Sequence, residues 1–128
     1  MLDLDLLPGE YAVCRLPAGT PLPTSLTTGP DDKSVLSVTW GQDEISIICL
    51  ADRVPAGAEA DTAWRCLRVA GLTTAMTGVL ASLVGPLADA RVNIVTFSTY
   101  DTDYLLVPTV RLTEAVNTLT AAGHRIAG

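Results

Sequence analysis

The 128-residue chain has one histidine, His124, and one lysine, Lys33. A single histidine excludes every His-rich metal cluster. It also forces any Ser-His-Asp relay to draw its base from the far end of the chain, and neither Ser82 nor Ser98 lies in a G-x-S-x-G turn that would present a nucleophile. No Gly-rich loop precedes Lys33, so a phosphate cradle of the P-loop kind is excluded as well. Basic residues are scarce: eight Lys plus Arg face fourteen Asp plus Glu, for a formal charge of −6. Such a field repels nucleic acid unless the cations cluster, and they do not. No apolar run reaches the roughly 18 to 20 residues of a membrane-spanning helix. The N-terminal MLDLDLLPGEY carries Asp3, Asp5 and Glu10 where a secretory signal carries Lys or Arg. The expectation is a cytoplasmic, non-catalytic protein with no metal, no cofactor, no nucleic acid and no membrane among its partners.

Cysteine is sparse too. Cys14, Cys49 and Cys66 are odd in number, widely spaced and set in apolar stretches, with no CxxC pairing. They read as small buried hydrophobes in a reducing compartment. What is abundant is apolar content: 48% of residues are hydrophobic, ample for one ordinary domain or two very small ones sharing a core.

Along the chain, residues 10–16 read as a strand after the Pro8-Gly9 turn. Prolines 17, 21, 23 and 30 then forbid a long helix and leave room for one turn near Leu22–Leu26. Val35–Trp40 and Glu44–Leu50, joined by Gly41-Gln42-Asp43, predict a hairpin. Ala63–Ala70 reads as a strand. Val79, Leu80, Leu83, Val84 and Leu87 then recur at helical spacing within residues 77–90, with Thr77 as the expected cap and a bend at Pro86. Val92–Thr99 and Asp103–Val107 predict a second strand pair. A second helix is expected over 109–122, with Thr109 as its cap and Gly123 as its stop, and a short strand over 124–127. The order from residue 63 is β-α-β-β-α-β, an α+β ferredoxin-like arrangement. Val38-Thr39-Trp40 and the strand after it echo Val95-Thr96-Phe97 and the strand after that. The echo predicts a degenerate tandem repeat: a helix-poor first unit over residues 1–60 and a second over 61–128.

Two segments carry a family resemblance. Thr74–Ile94 (TAMTGVLASLVGPLADARVNI) is similar to the core of ACT domains, with Arg91-Val92-Asn93-Ile94 standing where a "GVNI"-like sequence opens the next strand. Phe97–Val107 (FSTYDTDYLLV), Leu7–Pro17, Asp52–Pro55 and Ala122–Ile126 resemble a small group of stand-alone tandem ACT-like proteins. That group is related to the ACT pairs of aspartokinase and of the animal cytosolic arginine sensor. The resemblance implies tandem ACT-like units of ferredoxin-like fold, a homodimer, and regulatory binding of an amino acid or related metabolite without catalysis. The alternative role for the same fold is a ligand-free oligomerisation or protein-interaction module. Many amino-acid-binding ACT domains have an acidic or amide residue in the turn before the first helix. Here that turn reads Leu72-Thr-Thr-Ala-Met-Thr-Gly78 and has none.

Two clusters are candidates for a ligand. Met76, Thr77, Gly78 and Val79 open the first helix, whose free N–H groups and positive dipole end suit a carboxylate. The same small residues serve equally to start a helix close to a sheet. Thr99, Tyr100, Asp101, Thr102 and Asp103 form the densest polar run in the chain. Its carboxylates suit an ammonium or guanidinium and its hydroxyls offer adaptable bonds, though the run also fits an ordinary polar hairpin turn. The resemblance to the arginine-sensor relatives implies that this loop helps hold the ligand, with Asp103 as the matching acidic residue.

Overall fold

The computed structural model describes residues 1–26, 33–71 and 77–128. These divide into two compact units, Pro8–Ala63 and Met1–Leu7 with Trp64–Gly128. The sequence-based division at residue 60 and this one differ over the first seven residues, which pack with the C-terminal half, and over residues 61–63, which belong to the N-terminal unit.

In the N-terminal unit, β2 (Tyr11–Pro17) pairs antiparallel with β4 (Glu44–Leu50), and β4 pairs with β3 (Ser37–Trp40). The β3–β4 turn closes with the Gly41 N–H donating to the Glu44 carbonyl at 2.8 Å. Side chains alternate along β4, so that Ile45, Ile47 and Cys49 join Cys14, Leu16 and Leu26 in one core. The helical positions of the repeat are reduced to single 3-10 turns, Thr24–Leu26 and Ala51–Arg53. The first sits among Pro21 and Pro23, which cannot donate to a helical ladder.

The C-terminal unit keeps full helices. β5 (Glu59–Ala70) spans the boundary, and its later part belongs here. Around it, β1 (Asp3–Leu6), β6 (Val95–Ser98), β7 (Asp103–Pro108) and β8 (Arg125–Ala127) stand in the order β6-β7-β5-β1-β8. β1 runs antiparallel to β5, with Leu4 opposite Val69, and parallel to β8, with Leu4 beside Ile126. In both units the second hairpin strand pairs with the strand that opens the unit, β4 with β2 and β7 with β5. The topology therefore repeats what the sequence echo announced.

Helices α1 (Val79–Asp89) and α2 (Leu112–Ala121) contribute Leu83, Leu87, Ala115 and Leu119 to a core with Leu4, Leu67, Val69, Leu105 and Val107, all 0–1% exposed. Each of the larger side chains is worth roughly 1.5–3 kcal/mol of burial. Neither helix starts where its sequence signal predicts. Gly78, at φ +70°, is the N-cap of α1 in place of Thr77, because the chain enters the helix through a left-handed residue that glycine adopts without strain. α2 follows a 3-10 turn, Thr109–Arg111, so the residue at its N-cap is Arg111 and not Thr109.

Both helices end in the same Schellman motif. In α2 the Gly123 N–H donates to Thr120 and the His124 N–H to Leu119; in α1 the Arg91 N–H donates to Ala88 and the Val92 N–H to Leu87. The residue after the cap is left-handed in each, Gly123 at φ +97° and Arg91 at +58°. A non-glycine residue there carries a strain of about 1 kcal/mol. Arg91→Gly is accordingly expected to raise stability by about 0.5–1 kcal/mol, read as a higher urea midpoint at unchanged slope. The Arg91 side chain makes none of the ion pairs found among the described residues, whereas Arg111 donates to the carbonyls of Ala90 and Arg91 at 3.4 and 3.3 Å.

Pro86 lies inside α1 and has no N–H to give the carbonyl four residues back, that of Ser82. His124 takes its place: Nε2 lies 3.0 Å from the Ser82 carbonyl oxygen, and Nδ1 accepts the Leu2 N–H at 3.1 Å. The ring proton therefore sits on Nε2. His124, at the start of the short strand expected over 124–127, is only 4% exposed.

Candidate functional site

Both candidate clusters lie in the C-terminal unit, at the end of the sheet where β5 finishes. Asp3 pairs with Ala70 at the end of β5, and next to it Leu2 is joined through His124 to the Ser82 carbonyl in the first turn of α1, while the β6–β7 loop is tied to the same end because the Thr102 hydroxyl donates to the Val69 carbonyl. Met76 lies outside the described residues. Thr77 and Gly78 are exposed, and Val79 is half-buried against the core. The N-cap residue of α1, Gly78, has no side chain with which to cap it, and the first turn holds no acidic residue. The N–H groups ahead of the first intrahelical bond, from Ser82 to Gly78 at 3.0 Å, present donors and a positive dipole end.

The β6–β7 loop is partly self-satisfied. The Thr99 N–H donates to the Thr102 carbonyl at 2.9 Å, and the Ser98 hydroxyl donates to Asp103 Oδ1 at 2.6 Å. Thr102 is buried and its hydroxyl is committed to Val69, so the loop's outward polar groups are Thr99, Tyr100 and Asp101 together with the half-buried Asp103. Tyr100 is 92% exposed at the tip. Behind the loop, the Phe97 and Tyr104 rings stack at 5.0 Å and 7°, which stiffens the base of the hairpin.

The N-terminal unit holds hollows that sequence reading did not single out. One, of about 370 Å³, is lined by Val13, Arg15, Glu44, Ser46, Glu59 and Asp61, and is crossed by the Arg15–Glu59 ion pair at 2.7 Å. Another, of about 500 Å³, lies among Pro8, Glu10, Leu50 and Asp52. Both gather residues distant in sequence, and no local pattern marks them. Among the described residues no group of three or more His, Cys, Asp or Glu is placed to hold a metal ion. All three cysteines are free and buried, and burial pushes their thiols up, Cys49 and Cys66 to about 12. No helix among the described residues is long and apolar enough to cross a membrane.

A family model for the ACT domain matches residues 59–121, and one for an N-terminal domain matches residues 9–57. Protein Atu0741 from Agrobacterium tumefaciens, known from its crystal structure, is 33% identical over 98% of this chain and 92% of its own, with a TM-score of 0.88. The regulatory subunit of aspartate kinase from Thermus thermophilus is 15% identical over 91% of this chain and 99% of its own, with a TM-score of 0.59. Aspartate kinase from Clostridium acetobutylicum is 12% identical, with a TM-score of 0.64; the match covers 93% of this chain and 34% of the kinase. At those identities the kinases share the fold alone. No curated protein matches the chain. The α+β, ferredoxin-like architecture and the family model agree: the chain belongs to the ACT-domain proteins, with tandem ACT-like units of which the first is helix-poor.

Proposed function

We propose that this chain is a non-catalytic regulatory protein that binds a small amino acid or related metabolite and works in the cytoplasm as a homodimer. The observation that carries the reading is the start of α1, with a glycine at its N-cap, toward the same end of the sheet as a polar loop that keeps exposed groups. An α-amino acid needs donors for its carboxylate and acceptors for its ammonium. Thr77, Gly78 and Val79 at the start of α1, with Met76 before them in sequence, would offer the first; Asp101 and Asp103, with Thr99 and Tyr100, offer the second. Thr102 shapes the loop from beneath. The likeness to the regulatory subunit of aspartate kinase supports a regulatory setting. A ligand-free interaction module is the second reading, favoured by Val95, Phe97 and Tyr104, which are only half-buried on the sheet face away from the helices.

Thermal unfolding with each of the twenty amino acids in turn tests the first reading. A ligand at a hundredfold excess over Kd adds about 2.7 kcal/mol, which raises Tm by several degrees. The expected result is a shift with one or a few related amino acids that Asp103→Ala abolishes. No shift with any of them, with Asp103→Ala indistinguishable from wild type, favours the interaction module. Light scattering that finds only monomer at micromolar concentration removes the homodimer.

A further inference from the structure

A run of hydrogen bonds joins the N-terminal strand to the first turn of α1. The Leu2 N–H donates to His124 Nδ1 at 3.1 Å, His124 Nε2–H to the Ser82 carbonyl at 3.0 Å, and the Ser82 N–H to the Gly78 carbonyl at 3.0 Å. The Leu2 carbonyl in turn accepts from the Arg125 N–H at 2.9 Å, so Leu2 is held through both its backbone N–H and its carbonyl. The middle link exists because Pro86 leaves the Ser82 carbonyl without its helical donor. In an unbroken helix that carbonyl would already accept a helical N–H, and His124 would be only a second donor to it. His124 is buried, so neither bond can be exchanged for water without opening the structure. We propose that His124 is a coupling residue: it makes docking of β1 and closure of the first turn of α1 a single event. Coupling of this kind needs two elements that share one equilibrium, and the ring is the group they share. Resting on the reading above, in which the first turn of α1 receives the ligand, binding there tightens β1 although no ligand atom touches it.

Native-state amide hydrogen exchange on the full chain tests this. The readouts are the amides of Leu4 and Leu6 for the strand and of Ser82 for the helix turn. His124→Phe keeps the ring's bulk and removes both bonds. It is expected to speed exchange at all three amides by tenfold or more, while the amide of Ile47, buried in the other unit, stays unchanged. Faster exchange in β1 with Ser82 unaffected overturns the coupling. Pro86→Ala guards against a variant that fails to fold: it gives the Ser82 carbonyl a helical donor of its own, so His124→Phe should speed exchange at Ser82 less in that background than in wild type. Equal acceleration at Ser82 in the two backgrounds also overturns the proposal. The coupling is measured without any ligand, so its failure is separate from failure of the ligand reading. If an amino acid does bind, slower exchange at Leu4 and Leu6 in wild type but not in His124→Phe is expected, and an equal slowing in both sinks the link.

Discussion

Removal of residues 1–7 is expected to unfold the C-terminal unit, although the rest of that unit begins only at Trp64. Leu2 and Leu4 belong to its core at 8% and 1% exposure, and Leu6 packs against it. Each buried leucine contributes roughly 1.5–3 kcal/mol. The strand also separates β5 from β8, so its loss strips hydrogen-bond partners from both neighbours. Together these effects rival the roughly 5–15 kcal/mol by which a whole domain is stable. The milder Leu4→Ala should cost about 2–5 kcal/mol through lost burial and the cavity left behind. Helical circular dichroism reports this unit selectively, because both α-helices among the described residues lie in it. Urea titration should show a large drop in midpoint for Leu4→Ala and little native signal for the truncation. Val110→Ala, at a residue 89% exposed, should change nothing. A truncated chain with an undiminished helical signal and midpoint would show that β1 is an appendage and not part of the core.

The same strand marks where sequence reading stops. The hairpins were legible because their signals are local: β-branched runs flanking Gly41-Gln42-Asp43, and a polar run between Phe97 and Tyr104. The helices were legible from periodicity, and Gly123 marked a true stop. β1 has four alternating residues, and what makes it a strand is pairing with residues 67–70 and 125–127, which no local pattern contains. The caps were misplaced by one to two residues because a hydroxyl is a generic signal, whereas Gly78 is set by the backbone's left-handed approach. Of the candidate site, the polar loop was visible. That Thr102 turns inward to Val69 was not, since a loop's composition does not say which hydroxyl faces the sheet. His124 had half a signal: a proline within a helical pattern announces a carbonyl in need of a donor, but nothing in the sequence names the donor.

The second large effect is expected at high pH. Burial pushes the thiols of Cys49 and Cys66 up to about 12, and that of Cys14 upward as well, because each thiolate would be held in apolar surroundings. The unfolded chain exposes ordinary thiols that lose their protons near about pH 8.5. Below that pH both states hold the proton and stability is complete. Between about pH 9 and 12 the unfolded state releases the Cys66 proton that the folded state keeps, so stability falls as pH rises, by about 1.4 kcal/mol per unit for that thiol, and the raised Cys14 and Cys49 act in the same direction. Cys66 alone then accounts for roughly 4 kcal/mol by pH 12. The check is urea unfolding at pH 7, 9, 10 and 11 for wild type and Cys66→Ala. The variant starts less stable at pH 7 because it leaves a small cavity, but its stability should decline less steeply above pH 9. Other groups that ionise in this range are common to both proteins and cancel in the difference. The same protonation predicts that thiol reagents at pH 8 label the native chain only as fast as it opens, with all three cysteines reacting at once in denaturant. Parallel declines for wild type and Cys66→Ala, with rapid labelling of the native chain, would show that the thiols are open to solvent and not held in the core.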